Sequence, residues 1–441
     1  MWVLVFLMLS GFAAAAIYWN KIAIALPFIV FALITMILNK SLGTVIRFAA
    51  KEFIDRNKSK AKRVLRRIGL AKAGERLFNK IPNPKPFSIG DFDFDDIYLV
   101  TGTYSTPLQF SVAYSDKNIQ FDRELEEYFL YLSSLAERKA KETGATYFNG
   151  PNARLIRVTN DMMQNTDGSE QRLPTLELGP VSWFEYNALN GFMDHRLKSG
   201  NTIREVFASV DELYKNAGDF RWCKLSNIIS MAMLPITSDG YGLVQHRSFG
   251  VSADPGRYTS GVAECIHRYL DEAPKENLGQ RRAPLLELYD KHGSPKPLSE
   301  ALIGAGVDEN YSPSGVPSPL LAAKRGLFEE VSEELYELIP DTSYRFLNIA
   351  FGISGFHPNI VGIIDLNMPK HEVEKIVKTS PGRDHHECTR MEYVPLDVSR
   401  PDTEWLLRHP KLWTPGGLAA LVSAIHWQSR IIAQDTKLLR V

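Results

Sequence analysis

Cysteine is scarce in this chain, with three among 441 residues. Three thiols cannot build the disulfide framework of a small secreted domain, so the sequence predicts a reducing compartment. The formal net charge is zero, which excludes an overall basic surface for non-specific nucleic-acid binding. Hydrophobic residues make up 44% of the chain and charged residues 23%, so a disordered or low-complexity protein is also excluded.

The length and the charge distribution together predict that the chain has more than one domain and a separate basic segment. A chain of 441 residues is longer than one ordinary domain. Residues 40–80 hold 13 Lys and Arg against 3 Asp and Glu, whereas residues 81–441 have more acidic than basic side chains. The neutral total therefore combines a basic segment with an acidic body, and the body is not expected to bind nucleic acid.

The first 39 residues contain two apolar runs, Trp2–Trp19 and Ile22–Leu38. Each run would reach about 25 Å as a helix, near the lower limit for crossing a bilayer. The pattern predicts a transmembrane helical hairpin over 1–39 and a basic juxtamembrane helix over 40–80. That helix either lies on membrane lipid or is a solvated connecting helix that sets the topology. The expected protein is a two-pass membrane protein with a cytoplasmic body. A cleaved signal peptide followed by one span, or two buried core helices, are the alternatives.

The body divides in the sequence into two predicted domains. A proline-rich stretch at 81–86 marks a linker, after which 81–220 mixes strand and helix patterns and is predicted to be an α+β accessory domain. Residues 221–441 form the second domain. Its main predicted elements are two strand pairs, a last strand and a final helix: Ile228–Ile236 with Gly242–His246, Tyr344–Phe351 with Asn359–Leu366, Met391–Leu396, and Leu418–Ile432.

An acidic helix is predicted between the two strand pairs, over Pro319–Leu335. Apolar residues recur there at helical spacing, which would place Arg325, Glu329 and Glu333 on one shared edge, with Glu330 beside them. Carboxylates that converge from one helix can bind Mg²⁺ or Mn²⁺ and bridge the ion to phosphates. An acidic helix face is also typical of plain solvated surface, so the spacing alone leaves both interpretations open.

The order of residues in Ala322–Ser332 resembles the Nudix box, whose helical part reads AAxREUxEExG, where U is aliphatic. Gly242–Arg247 resembles the family's "LVQHR" strand, and Pro255–Glu264 resembles the glycine-bearing arm that opens the box. The resemblance covers about residues 225–435. It implies a Nudix-type α/β/α sandwich with a mixed sheet, and hydrolysis of a diphosphate linkage in a nucleoside diphosphate derivative with Mg²⁺ or Mn²⁺.

The resemblance also implies roles for single residues. Glu329 and Glu330 would bind metal, and Arg325 would orient them. In the arm, Gly261 would let the backbone approach the phosphates, and Glu264 belongs to the same binding segment. The remaining candidate metal ligands are Glu333 and Glu387, the second from the loop before the last strand.

Departures from the family pattern keep a second function open. Gly326 stands where the box has a principal metal-binding Glu, Ser332 replaces its closing Gly, and residues 265–316 form a long insertion. A catalytically weak Nudix-like nucleotide sensor, signalling to its membrane segment in bacterial defence, is therefore the alternative. A homo-oligomer is compatible with either function. Within the insertion, Arg281–His292 is expected to form a short helix on the body. Arg281, Arg282, Lys291 and His292 flank that helix and would meet ligand phosphates as part of a lid, with a plain surface insertion as the alternative.

Overall fold

The computed structural model describes residues 87–438 with internal gaps, the longest of which is 293–314. The described strands are β1 (Phe87–Ile89), β2 (Phe92–Phe94), β3 (Ile97–Leu99), β4 (Ser111–Tyr114), β5 (Pro151–Gln164), β6 (Glu170–Ser182), β7 (Ser230–Ile236), β8 (Tyr241–Arg247), β9 (Tyr258–Ser260), β10 (Glu272–Pro274), β11 (Gly315–Pro317), β12 (Tyr344–Gly352), β13 (His357–Asp365) and β14 (Cys388–Pro395). The main described helices are α1 (Trp183–Leu189), α2 (Ile203–Phe207), α3 (Val210–Lys215), α4 (Leu285–His292), α5 (Pro319–Gly326), α6 (Glu333–Leu338), α7 (Lys370–Thr379), α8 (Pro401–Arg408) and α9 (Pro415–Leu438).

A seven-stranded mixed sheet forms the centre, in the order β14-β8-β7-β13-β12-β3, with β9 paired to β8. Strands β7 and β13 run parallel, and the other neighbours run antiparallel. The turn between Ile236 and Gly242 makes β7 and β8 a hairpin, as predicted. The second predicted strand pair is β12 with β13, and the last predicted strand is β14. These sequence predictions are confirmed.

Helices cover both faces of this sheet. All seven residues of β7 are buried. Met231 and Met233 pack in the hydrophobic cluster that includes Ala322 and Ala323 of α5, whereas Leu234 packs in the cluster that includes residues 418–425 of α9. Successive side chains of a strand point to opposite faces, so a strand covered by helices on both sides is apolar throughout. The fold is mixed α/β, with helices α5 and α9 on opposite faces of the sheet.

The predicted accessory segment shares the core of the central sheet. Strand β3 pairs with β12 at the sheet's edge, and Leu155 of β5 and Leu178 of β6 lie in the same hydrophobic cluster as Met231. Strands β4, β6 and β5 form a separate three-stranded sheet, with β4 parallel to β6. Residues Asn83–Val441 fold as one compact unit, so the chain around residue 220 is not a break between two compact units.

The prediction of a two-pass membrane protein with a transmembrane hairpin is corrected. Among the residues described between 87 and 438, no helix is long and apolar enough to cross a membrane. The longest of the helices named above, α9, packs its buried residues on the sheet, and its sequence includes Arg430, Asp435 and Lys437 in the second half. The segments predicted as hairpin, 1–39, and as juxtamembrane helix, 40–80, lie outside the described residues.

A buried carboxylate cluster as candidate functional site

The helix α5 begins with strong local signals and ends at the site. The Ser318 hydroxyl accepts a hydrogen bond from the backbone N–H of Leu321, and Pro319 occupies the first helical position, where its missing N–H costs nothing. The buried Ala322 and Ala323 let the helix lie close to the sheet. Arg325 stands in the last turn of α5 and is 4% exposed.

The chain continues from α5 into a wider π-helical turn, Leu327–Val331, and then breaks. Ser332 adopts an extended conformation, φ −167° and ψ 132°, and its hydroxyl caps α6 by accepting from the N–H of Leu335. Such π turns are often found at functional sites. The single helix predicted over Pro319–Leu335 is therefore wrong, because Ser332 ends one helix and begins another.

An arm after β9 places Glu264 against this turn. Its backbone runs antiparallel to β7, and Val262 and Met233 each donate a backbone hydrogen bond to the other, at 3.1 and 2.9 Å. The N–H of Met231 donates to the carbonyl of Glu264 at 2.6 Å. The arm thus holds its carboxylate in register with the sheet while the side chain faces α5.

Arg325 is the centre of the cluster. Its Nη1 donates to Glu264 Oε2 at 2.6 Å and to Glu329 Oε2 at 2.7 Å, so one nitrogen joins the arm and the π turn. Nε and Nη2 donate to the two carboxylate oxygens of Asp271, at 3.0 and 3.1 Å, and Nη2 also donates to the carbonyl of Cys265 at 2.8 Å. A guanidinium presents its donors in a rigid fork that suits such bidentate pairing.

Both carboxylates of the π turn, Glu329 and Glu330, are buried. Glu329 is 2% exposed and Glu330 is 4% exposed. Glu330 Oε2 accepts from the backbone N–H of Ala263 at 2.6 Å, which ties the arm to the turn a second time. Glu329 Oε1 is buried with no hydrogen-bond partner. Buried polar atoms are nearly always paired, so this oxygen calls for a partner, either water or a ligand.

The cluster gathers more carboxyl groups than the single charge of Arg325 can compensate if all were ionised. Burial raises the pKa of Glu329 and of Glu330 well above the usual range, and the charge of Glu264 raises both further. Burial also raises the pKa of Glu264, against the lowering effect of the Arg325 charge. Burial would lower the pKa of Arg325, but the charges of Asp271 and Glu264 outweigh it and raise this pKa overall. Groups perturbed in this way gather at functional sites.

The loop before β14 completes the site. Glu387 is about half exposed, and its Oε2 lies 3.9 Å from Nη2 of Arg247, at the end of β8. Its charge raises the pKa of both Glu264 and Glu330. The structure therefore brings together four residues that the sequence analysis selected as ligands or binding groups, together with Arg325: Glu264, Glu329, Glu330 and Glu387.

Two other selected residues have different positions. Glu333 lies beyond the break at Ser332, and its Oε1 accepts from Nε of Arg383 at 2.6 Å, so it does not share the edge of Arg325 and Glu329. Gly261 is required by packing: a Cβ there would lie 2.7 Å from Cδ of Pro235 and 2.8 Å from the carbonyl oxygen of Leu243. Because glycine has no side chain, the arm can lie close to the sheet at this position.

The predicted metal-binding cluster needs a correction as well. In the part of the chain that the structure describes, no group of three or more His, Cys, Asp or Glu side chains is arranged so that it could hold a metal ion. The physical reason is visible at Arg325, which occupies one oxygen of Glu264 and one of Glu329. The carboxylates converge on a guanidinium, and only part of their surface is left for a ligand.

Two residues of the insertion differ from the sequence analysis. Asp271 was missed, and Arg281 has a different position from the one expected. Asp271 is fully buried and also accepts from the backbone N–H of His267 at 2.8 Å. Arg281 donates to the carbonyls of Leu270 and, at 3.2 Å, Leu321. It therefore braces the network from inside and is not the phosphate-binding lid residue that was expected. A buried Asp four residues after a His is too common a pattern to have been found from sequence.

The packing around position 326 explains why this residue is a glycine. A Cβ at this position would lie 2.4 Å from Cγ1 of Val262 and 3.1 Å from Cγ of Glu264. The arm packs directly on the helix backbone here. The carboxylate that the Nudix pattern has at this position therefore has no room in this arrangement.

Comparison with known proteins adds no family. No protein-family model matches this chain, and no curated protein matches it at a significant level of similarity.

Proposed function

We propose that this protein is a Nudix-type hydrolase that cleaves a diphosphate linkage in a nucleoside diphosphate derivative, with Mg²⁺ or Mn²⁺. The observation that carries the proposal is the unpaired, buried Oε1 of Glu329 among carboxyl groups whose pKa is raised. The order of Arg325, Glu329 and Glu330 within Ala322–Ser332, which resembles the Nudix box, supports it.

In this proposal protein carboxylates and substrate phosphates would hold a divalent cation together, because the carboxylates alone form no metal-binding group among the described residues. Hard cations such as Mg²⁺ take oxygen ligands and are usually held by one or two carboxylates together with substrate phosphates. Glu329 and Glu330 would provide the protein ligands, with Glu264 and Glu387 beside them. Such a cation, when bound, stabilises negative charge on phosphate oxygens. Since Arg325 already occupies part of the cluster, we expect the cation to bind together with the diphosphate.

The protein's own residues have separate tasks in this proposal. Arg325 fixes the orientation of Glu264 and Glu329 through one charge-assisted hydrogen bond to the arm and one to the turn, and it is itself held by Asp271. The N–H of Ala263 fixes one oxygen of Glu330 and leaves the other free to face the ligand. Arg247 stands beside Glu387 and provides a positive charge for a phosphate group.

A nucleotide sensor is the second candidate function, and Gly326 favours it. The site lacks the carboxylate that the Nudix pattern has here, and the packing of Val262 against Gly326 leaves no room for one. A site with fewer ligands would still recognise a nucleotide diphosphate but would turn it over slowly or not at all.

One experiment separates the two functions. Purified full-length protein is incubated with Mg²⁺ or Mn²⁺ and a panel of nucleoside diphosphate derivatives, and both product formation and Tm are measured. Turnover that falls at least about 100-fold in Glu330→Gln, and not in the surface variant Glu404→Gln, supports the hydrolase. A ligand that raises Tm in the parent and is not hydrolysed supports the sensor, since ligand at 100 times its Kd stabilises by about 2.7 kcal/mol. If no member of the panel is cleaved or raises Tm, both functions are wrong.

A further inference from the structure

Strand β14 is the end strand of the central sheet, with β8 on one side. Its register places Arg390 opposite His246 and Glu392 opposite Val244. In the part of the chain that the structure describes, no strand pairs with the other side of β14. An end strand presents backbone N–H and C=O groups along its open side, and these groups form a template for pairing with another chain.

The direction of the backbone groups shows which residues of β14 form this open side. The N–H of Arg247 donates to the carbonyl of Arg257 at 2.9 Å, so the backbone of Arg247 faces β9. Backbone groups alternate in direction along a strand, so the neighbouring His246 faces β14 and its partner Arg390 faces β8. Met391 therefore directs its N–H and C=O away from β8, towards the open side of the sheet.

Two opposite charges flank Met391 on one face of this strand. Side chains two residues apart in a strand point to the same face, so Arg390 and Glu392 share a face. Within one copy, Nε of Arg390 lies 2.5 Å from Oε1 of Glu392, and Nη2 of Arg390 donates to the hydroxyl of Tyr258 at 3.1 Å. The side chain of Arg390 is 59% exposed and that of Glu392 is 34% exposed. Both charges are therefore held in place at the edge and remain accessible.

The order Arg390-Met391-Glu392 is complementary to itself in an antiparallel pair. When two copies of β14 lie antiparallel with Met391 opposite Met391, Arg390 of each copy lies opposite Glu392 of the other. The two Met391 residues then exchange two backbone hydrogen bonds, and the flanking pairs are of the kind without such bonds, whose side chains come closest. Pairing centred on Arg390 or on Glu392 would place like charges opposite each other, which is destabilising.

The surroundings of β14 limit the length of this ladder and add apolar surface. The carbonyl of Pro395 already accepts from the hydroxyl of Thr403 in α8 at 2.6 Å, and proline has no N–H, so the open ladder ends before this residue. Near this end of the strand, Val398 and Trp405 are exposed by 40% and 49%. Exposed apolar side chains near an open edge favour an interface. Because the ladder is short, we expect a dimer that dissociates in the micromolar range.

We propose that two copies of this chain pair through the open side of β14 and form a two-fold symmetric dimer with one continuous sheet. The partner is a second copy because the charges of Arg390 and Glu392 complement themselves under that symmetry. Strand β14 begins directly after Glu387, so the interface adjoins the candidate functional site. The inference is independent of the proposed function, since the dimer requires neither a cation nor a nucleotide.

The test measures dimerisation of the full-length protein by sedimentation velocity over a series of micromolar concentrations, with Tm recorded for each variant. The parent is expected to change from monomer to dimer across the series. Arg390→Glu places acidic side chains opposite each other at both flanking pairs and is expected to raise the Kd of the dimer at least about tenfold. Glu392→Arg places basic side chains opposite each other and is expected to raise the Kd by a similar factor.

A mixture of the two single variants is the decisive measurement. In the mixed dimer, the acidic strand edge of Arg390→Glu faces the basic strand edge of Glu392→Arg, so both ion pairs between the copies are restored. The ion pair within each strand stays broken in both variants. An equimolar mixture is therefore expected to return the Kd to within about threefold of the parent value. A pair that only stabilises its own strand would give no such recovery.

The matched control is Lys215→Glu, which reverses one charge of an exposed pair in α3, where Nζ of Lys215 lies 3.2 Å from Oε1 of Glu212. It is expected to leave the Kd unchanged. A parent that stays monomeric across the series overturns the inference. A dimer that Arg390→Glu leaves intact, that Lys215→Glu weakens equally, or that the mixture fails to restore also overturns it. Weaker dimers in both single variants, recovery in the mixture and no effect of Lys215→Glu support it.

Discussion

Two neighbouring residues of one arm, Glu264 and Cys265, belong to two polar clusters of opposite character. Glu264 joins the charged cluster around Arg325, with its excess of carboxylates and the unpaired Oε1 of Glu329. Cys265 joins a neutral chain: its Sγ lies 3.2 Å from Oγ of Ser230, which in turn lies 2.8 Å from Nε2 of His357.

The neutral chain closes its own hydrogen bonds. It ends at Tyr186 in α1, whose hydroxyl lies 3.0 Å from Nδ1 of His357. Burial lowers the pKa of His357 to about 4 and raises the pKa of Cys265 to about 12, and it also raises the pKa of Tyr186. Each of the four side chains is therefore uncharged at pH 7.

The difference between these two clusters indicates which of them is the better candidate for a ligand site. A fully paired neutral network stabilises and specifies a fold, because none of its buried groups is left without a partner. The charged cluster keeps raised pKa values and an unpaired oxygen, which cost stability without a ligand. Since proteins retain such costs mainly at functional positions, the comparison favours the carboxylates over the chain through His357 as the place of the proposed ligand site.

The largest expected effect follows from removing the positive charge of Arg325 at the centre of the charged cluster. Arg325→Met leaves Glu264, Asp271 and Glu329 buried without their common partner. Breaking a buried pair in this way costs about 3–5 kcal/mol, so urea denaturation is expected to show a free energy of unfolding lower by that amount. The exposed pair variant Arg408→Met is expected to lose at most about 1 kcal/mol. Equal losses in the two variants would show that the cluster is no different from surface pairs.

The next prediction concerns acid stability through His357. Its folded pKa, about 4, lies below the ordinary value of 6.5. The stability that this depressed pKa contributes is therefore complete above pH 6.5 and is lost as the pH falls through the folded pKa. The loss is at most about 3 kcal/mol by the size of the shift. His357→Gln is expected to be less stable than the parent at pH 7, by about 1 kcal/mol for its altered hydrogen bonds.

As the pH falls from 6.5 to 4, the parent loses up to about 3 kcal/mol that the variant keeps, so the difference in stability is expected to shrink and then to reverse in sign. Denaturant titrations at four pH values between 4 and 7 measure it. A constant difference between His357→Gln and the parent would mean that this histidine is not held neutral by the fold.

The charged cluster is expected to show the opposite pH dependence. The pKa of Glu330 is raised by burial and then by the charge of Glu264. A raised pKa gives stability that is complete below the unfolded pKa and is lost as the pH rises through the folded one. Glu330→Gln has no charge to desolvate, so its Tm relative to the parent is expected to rise by at least about 2 °C between pH 5 and pH 8. The control variant Glu404→Gln changes an exposed glutamate and is expected to show no such rise in Tm. If Glu330→Gln also shows no rise, the pKa of Glu330 is not raised by burial in this cluster.

Helical spacing was sufficient to predict the centre of the site. Arg325 and Glu329 stand four residues apart, which places them one turn apart on a helix, and the structure joins them at 2.7 Å. Turn residues between alternating apolar runs likewise predicted the hairpin of β7 and β8. These features depend on local chemistry, which a single sequence contains.

Features that depend on distant contacts could not be predicted. Asp271 meets Arg325 across 54 positions, and nothing in the sequence indicates that pairing. The edge strand β3 joins β12 across about 250 positions, which made the accessory segment look separate. Glu333 is a different case: Ser332 followed by acidic residues is a helix-start signal, and it would have shown that Glu333 begins a new helix.

The smallest expected effect concerns Gly326, where the sequence departs from the Nudix pattern. An interior helical Gly is about 1 kcal/mol less favourable than Ala, so Gly326→Ala would stabilise an isolated helix. In this fold the added Cβ would lie 2.4 Å from Cγ1 of Val262, and overpacking costs about 1–3 kcal/mol. The net expectation is a loss of about 1 kcal/mol in the free energy of unfolding, together with weaker ligand binding, since the displaced arm carries Glu264.

Gly191 gives the matched control for this variant. It also lies in a helical turn, and a Cβ there would meet nothing within 4 Å. Gly191→Ala is therefore expected to be neutral or slightly stabilising in the same urea titration. If Gly326→Ala is instead as stable as Gly191→Ala and binds its ligand normally, the arm can move away from the helix. In that case the space for a side chain at position 326 exists in solution, and the packing argument that favours a sensor over a hydrolase is lost.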